Sequence, residues 1–159
     1  MCIFENKKGE TNGKTLGVGN MRRIIASLIS IVMPGGGQIY NRQFIKGFVF
    51  FFLEHIINYL ASINKAIYLD FNGYRIEALN QVNYQFALFY PGIYVLGVYD
   101  AYRNAKIEDV NSNAAIFFII GGLLGTFSIV YSNHLPFPLL LGGLSMCVPI
   151  LIGVVLYRQ

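Results

Sequence analysis

The chain has 159 residues, 55% of them hydrophobic and only 13% charged, with a mean hydropathy of +0.51. Soluble domains carry about 25% charged residues, so this chain has too little polar surface to cover a water-soluble globule. The net charge of +4 comes from lysines and arginines that flank oily stretches and never form a basic stripe among exposed aromatics, which argues against nucleic acid as a partner and for membrane topology.

Residues 1–21 are polar and glycine-rich, with Lys7, Lys8 and Lys14 and no apolar periodicity; they read as a disordered cytoplasmic tail. Gly13-Lys14-Thr15 has the ending of a phosphate-binding loop, but Lys8 stands where the pattern needs glycine. Apolar segments follow at 24–40, 47–63, 86–99, 114–131 and 139–157, and together make 22–157 a single membrane domain. A helix of 17–19 residues reaches roughly 26–29 Å, enough for a bilayer core of about 30 Å. The segment at 86–99 is short for this. Tyr40, Tyr84, Tyr99, Tyr102, Tyr131 and Tyr157 flank the segments and suit the headgroup belt. Pro149 and Pro91-Gly92 predict kinks.

The first segment is interrupted by Pro34-Gly35-Gly36-Gly37. Proline removes a backbone donor and the glycines ease a turn. Gln38, Tyr40 and Asn41 are the nearby side chains able to satisfy the freed peptide groups. If this segment dips in and returns while the other four span, Lys65 and Arg75 alone among the basic residues lie outside, and both termini are cytoplasmic. If it crosses, Lys7, Lys8, Lys14, Arg22 and Arg23 must all sit outside. The charge bias favours an all-α, polytopic inner-membrane protein of four spans plus one re-entrant segment. A kinked 17-residue span and a secretory signal remain the alternatives for 24–40.

Glu54 and His55 fall near the middle of the second segment, with Asn58 one turn beyond Glu54 on the same face. An ionisable side chain at mid-bilayer costs about 2.5–3.5 kcal/mol, so it needs a partner or a wet cavity. The two readings are an intramembrane polar site made of Glu54, His55 and Asn58, and a protonated Glu54 that serves as packing glue between helices. His55 and His134 are the only histidines, no Cys-x-x-Cys or His-x-x-x-His spacing occurs, and no serine has a placed base. No metal site, cofactor or enzyme activity is expected. Cys2 and Cys147 are too isolated for a disulfide framework. Gly121 and Gly125, then Gly143 and Cys147, repeat a small-xxx-small spacing. Only Ser132–Pro138 joins the two segments, so these four residues are expected to face one another in an antiparallel hairpin. The same faces are open to a second subunit instead.

The run Pro34, Gly35, Gly37, Gln38, Tyr40, Asn41, Lys46, Gly47 resembles a Pro-Gly-x-Gly-Gln-x-Tyr-Asn-x-x-x-x-Lys-Gly motif of small bacterial multi-span membrane proteins. It is also similar to the N-terminal module of some maltose-type sugar ABC transporter permeases of Gram-positive bacteria. Tyr99-Asp100-Ala101-Tyr102-Arg103-Asn104-Ala105-Lys106 resembles the sequence closing that module. A permease of that class docks its ATPase through a cytoplasmic Glu-Ala-Ala loop; here Glu77-Ala78 is followed by Leu79 in an expected outer loop. The resemblance therefore implies a shared membrane module and carries no substrate-binding role over to any residue. The function expected is a noncatalytic accessory or assembly module, with the lipid bilayer and other membrane subunits as partners. The alternative is a component of a transport system related to sugar permeases.

Overall fold

The computed structural model describes residues 5–105 and 113–157, and no strand occurs among them. The first helix, α1 (Glu5–Val32), begins inside the segment expected to be a disordered tail. No proline precedes Pro34, so nothing in the chain forces its backbone ladder to stop. Residues 1–4 of that tail lie outside the described residues, as do Lys106 and Arg158.

At Pro34 the chain turns back. Gly35 takes the left-handed conformation (φ 88°), and α2 (Gly36–Tyr40) runs back along α1. A Cβ on Gly37 would stand 2.3 Å from the Ala26 carbonyl oxygen and 2.4 Å from Ser30 Oγ. One on Gly35 would stand 2.1 Å from the Gly47 oxygen. Glycine is required at both positions because backbone meets backbone there.

The next helix, α3 (Phe44–Ala61), inverts the usual soluble pattern. Its buried residues are Gly47, Glu54, Asn58 and Ala61, one face at helical spacing, and two of the four are polar. Phe44, Ile45, Phe48, Val49, Phe52, Ile56 and Tyr59 cover the other face and are exposed. Ser62, also left-handed, breaks the helix and redirects the chain into α4 (Ile63–Phe71) and α5 (Arg75–Gln81). The stretch 64–85, expected as an outer loop between two apolar segments, is thus largely helical. Ile63, Ala66 and Asp70 form a buried stripe on α4, and that pattern is too short to stand out in the sequence.

The segment expected at 86–99 is divided differently. A short turn of helix, α6 (Tyr84–Ala87), precedes α7 (Tyr90–Asn104), and Pro91 lies in the first turn of α7. It starts a helix there and kinks none, since a first-turn proline forfeits no helical hydrogen bond. The last two helices, α8 (Ala114–Val130) and α9 (Pro138–Leu156), form an antiparallel hairpin through one 3-10 turn at Ser132–His134. Tyr94, Val98, Tyr102, Phe118, Met146, Ile150 and Val154 make the main core between α7, α8 and α9.

Contacts fix the directions. Arg23 on α1 lies over the Tyr102 ring and Tyr94 Oη donates to the Ile31 carbonyl, so α1 and α7 are antiparallel. Lys46 meets Asp100 and Glu54 meets Tyr90, so α3 and α7 are antiparallel as well. One end of the bundle carries Arg23, Arg42, Lys46 and Arg103; the other carries α4 and α5. By length and composition, α3 and α9 are long and apolar enough to cross a membrane, with only 22% of each buried in the protein. The apolar α8 is one residue shorter than α3, at 17 residues.

Candidate functional site

The motif residues 34–47 come together with residues 99–105 of the second quoted run in a clasp between α2, α3 and α7. Gln38 is fully buried, and its Nε2 donates to the Gly97 carbonyl at 2.7 Å and to Asp100 Oδ2 at 3.1 Å. Ser30 Oγ donates to Gln38 Oε1, and the Gly37 amide donates to Ser30 Oγ. Asn41 Nδ2 donates to the Ala101 carbonyl at 2.8 Å. Lys46 Nζ pairs with Asp100 Oδ1 at 2.9 Å, and Asn104 Nδ2 donates to the same oxygen. Tyr40 packs on Ala26, Ala101 and Ala105. A Cβ on Gly47 would meet Ile39 at 2.6 Å. Gln38, Lys46, Asp100 and the Asn41 amide nitrogen thus hold the fold-back against α7, while Asn41 Oδ1 and Gln43 Oε1 are buried with no hydrogen-bond partner. The alanines at 26, 101 and 105 let the backbones approach.

The fold-back ends partway up the bundle. From Arg23 to Val32 α1 rises roughly 14 Å, about half a bilayer core, and Pro34 stops beside α3 below Glu54. Above it opens a cleft of about 500 Å3, lined by Val32, Pro34, Phe51, His55, Asn64 and Tyr94 together with Glu54, Asn58 and Tyr90. Glu54 is 6% exposed. Its Oε1 accepts from Asn58 Nδ2 and Tyr90 Oη, both at 3.1 Å, and its Oε2 lies 2.8 Å from His55 Nδ1. Asn58 Nδ2 also donates to Asn64 Oδ1, and the Asn64 amide donates back to Asn58 Oδ1. All three of these neighbours can donate a hydrogen bond to the carboxyl oxygens. His55 is the open side of the cluster, with its side chain 56% exposed. Its Nδ1 also lies 2.9 Å from the Phe51 carbonyl.

Glu54, His55 and Asn58, grouped on the sequence alone, are neighbours in the structure, and Tyr90 and Asn64 join them without having been singled out. A tyrosine in an apolar run reads as an interface anchor, yet several here bond helix to helix. Tyr94 reaches Ile31, Tyr102 reaches the Tyr157 carbonyl at 2.6 Å, and Tyr84 reaches Ser132 at 3.2 Å. Asp70 was also missed, because it falls in a stretch read as loop. It is fully buried, and its Oδ2 accepts from the Leu139 amide at 3.0 Å, at the start of α9. Phe137 precedes that helix with no capping side chain, so an acid from α4 takes the place of an N-cap. Arg75 donates to the Asn133 carbonyl and ties α5 to the same turn.

The glycine prediction is half corrected. Gly121 does face α9, where a Cβ would meet the Met146 oxygen at 2.7 Å, and Gly125 sits against Pro91 and Met146. Gly143 has nothing within 4 Å of a Cβ position. With Cys147 it lines an apolar cavity of about 220 Å3 under α4 to α6, bounded by Tyr94, Ile129 and Leu139. The hairpin is closed instead by Met146, Ile150 and Gly153, one position around the helix, because a bulky Met146 seats against Gly121 and Gly125.

Among the described residues no group of three or more His, Cys, Asp or Glu side chains is placed to hold a metal ion. No family model, no curated protein and no solved structure matches the chain.

Proposed function

We propose that the chain is a multi-pass integral membrane protein and a noncatalytic accessory or assembly module of a membrane complex. In this reading α3, α7, α8 and α9 span the bilayer, α1 and α2 form a re-entrant hairpin, and the basic end is cytoplasmic. The observation that carries it is the inverted distribution of polarity. Arg23, Ser27, Ser30, Gln38, Glu54, Asn58 and Asp70 are buried, while most of the long apolar side chains of α3, α8 and α9 face outward. In water such a surface far exceeds the few hundred Å2 of contiguous apolar patch that soluble monomers expose. In hydrocarbon it is the expected solution, since internal polar groups then find partners inside the protein. The accessory role is supported by the clasp, whose polar groups at Gln38, Lys46 and Asp100 hold helices together. The outward row of Phe48, Val49 and Phe52 on α3 is available to lipid or to a partner helix.

The cleft at Glu54 favours a second reading, a component of a transport system. An acid at mid-span beside an open histidine is the arrangement expected along a polar pathway. Alkaline carbonate washing of membranes tests the first proposal: the protein is expected to stay in the pellet. Release into the supernatant would refute it.

A further inference from the structure

The Glu54 cleft has three features that no structural role requires. Its volume, about 500 Å3, exceeds what a bridging water needs. The ionisable groups lining it are Glu54, His55, Tyr90 and Tyr94, and no lysine or arginine lines it. Finally, α1 ends on it. Residues 31–34 line the cleft, so the C-terminal end of α1, the negative pole of its dipole, borders the same space as Glu54, with the Ile31 carbonyl taken by Tyr94 Oη and the Ile29 and Met33 carbonyls by backbone amides. A helix that ends beside a cavity inside a membrane protein sets the negative pole of its dipole where it favours a cation.

The remaining wall selects among cations. Phe51, Tyr90 and Tyr94 present aromatic surface there, and the Phe51 and His55 rings lie 4.1 Å apart at the open side. Aromatic faces attract weakly hydrated cations, whereas a bare metal ion wants a tight shell of oxygens that a cleft of this size does not supply. We infer that the cleft binds a small organic ammonium ion, its charge set between the Glu54 carboxylate and the end of α1 and its carbon groups against Phe51, Tyr90 and Tyr94. Tyr90 and Asn58 position the carboxylate. His55 stands at the entrance.

The inference deepens the second reading given above, but binding is measured on purified protein in detergent, so it succeeds or fails separately from retention in washed membranes. Choline is the probe, with 3,3-dimethylbutanol as its uncharged isostere and sodium chloride at equal ionic strength. Choline is expected to raise the melting temperature saturably while the other two do not. It is also expected to slow modification of His55 by diethylpyrocarbonate, read by mass spectrometry, without slowing that of His134. Glu54→Gln keeps acceptors for Asn58 and Tyr90, and is expected to raise the half-saturating concentration about tenfold or more. An equal shift with sodium or with the uncharged isostere overturns the inference, as does an unprotected His55. If Glu54→Gln fails to fold, the isostere comparison and the His55 protection decide alone.

Discussion

Gly37 shows how closely a single side-chain atom is excluded. Its missing Cβ leaves room for the Ala26 carbonyl and Ser30 Oγ, neither of which is the far end of a flexible chain. Gly37→Ala is therefore expected to cost about 1–3 kcal/mol through overpacking, read as a lower melting temperature in mild detergent. Gly92, with nothing within 4 Å of its Cβ position, is the control: Gly92→Ala is expected to leave melting unchanged or slightly raised. Gln38→Leu removes the donor to Gly97 and Asp100 from a fully buried position, and a cost of about 1–3 kcal/mol is expected in the same melt. At this scale the sequence was informative where polarity interrupts an apolar run, as at Glu54 and Asn58. It was silent on Tyr90, because a tyrosine's hydroxyl finds its partner only once another helix is beside it. The purpose of Gly37 and Gln38 was legible as a turn but not as a clasp, since Asp100 lies some sixty residues away and only folding brings it near.

Helices are held here by groups borrowed from neighbours. α9 starts at Phe137 with no cap of its own and takes Asp70 from α4. Asp70→Ala is expected to destabilise by about 0.5–2 kcal/mol, and Asp70→Asn by less, since an amide oxygen still accepts from Leu139. An equal loss for both would show that charge at the helix start, and not the hydrogen bond, is what matters. The α8–α9 pair gives a second test. Gly121→Leu drives a side chain into the Met146 backbone and is expected to weaken the hairpin, whereas Gly143→Leu enters open space and is expected to be tolerated. Disulfide crosslinking between cysteines placed on α8 and α9 reads both. Four-residue spacing of small residues correctly located a close contact on α8 but placed it on the wrong stripe of α9. Spacing identifies a candidate face, while the bulk of Met146 decides which one is used. The short helices α4 and α5 were not legible because a two-turn apolar stripe is no stronger than chance in an oily chain.

The whole molecule was most legible through charge. The basic residues Arg23, Arg42, Lys46 and Arg103 gather at one end once α1 and α3 are each packed antiparallel to α7. That clustering is what the proposed threading needs. In that threading the fold-back of α1 and α2 puts Arg22 and Arg42 on one side without a full crossing between them, and it leaves the Glu54 cleft open above its tip. The threading is tested most directly by labelling single cysteines, in a background with Cys2 and Cys147 replaced by serine, with a membrane-impermeant maleimide on right-side-out vesicles. Cysteine at Asn72, in the exposed turn between α4 and α5, is expected to react at once, while cysteines at Arg22, Arg42 and Arg103 react only after the vesicles are opened. Protection of position 72, or reaction of exactly one of positions 22 and 42 in sealed vesicles, would contradict the account.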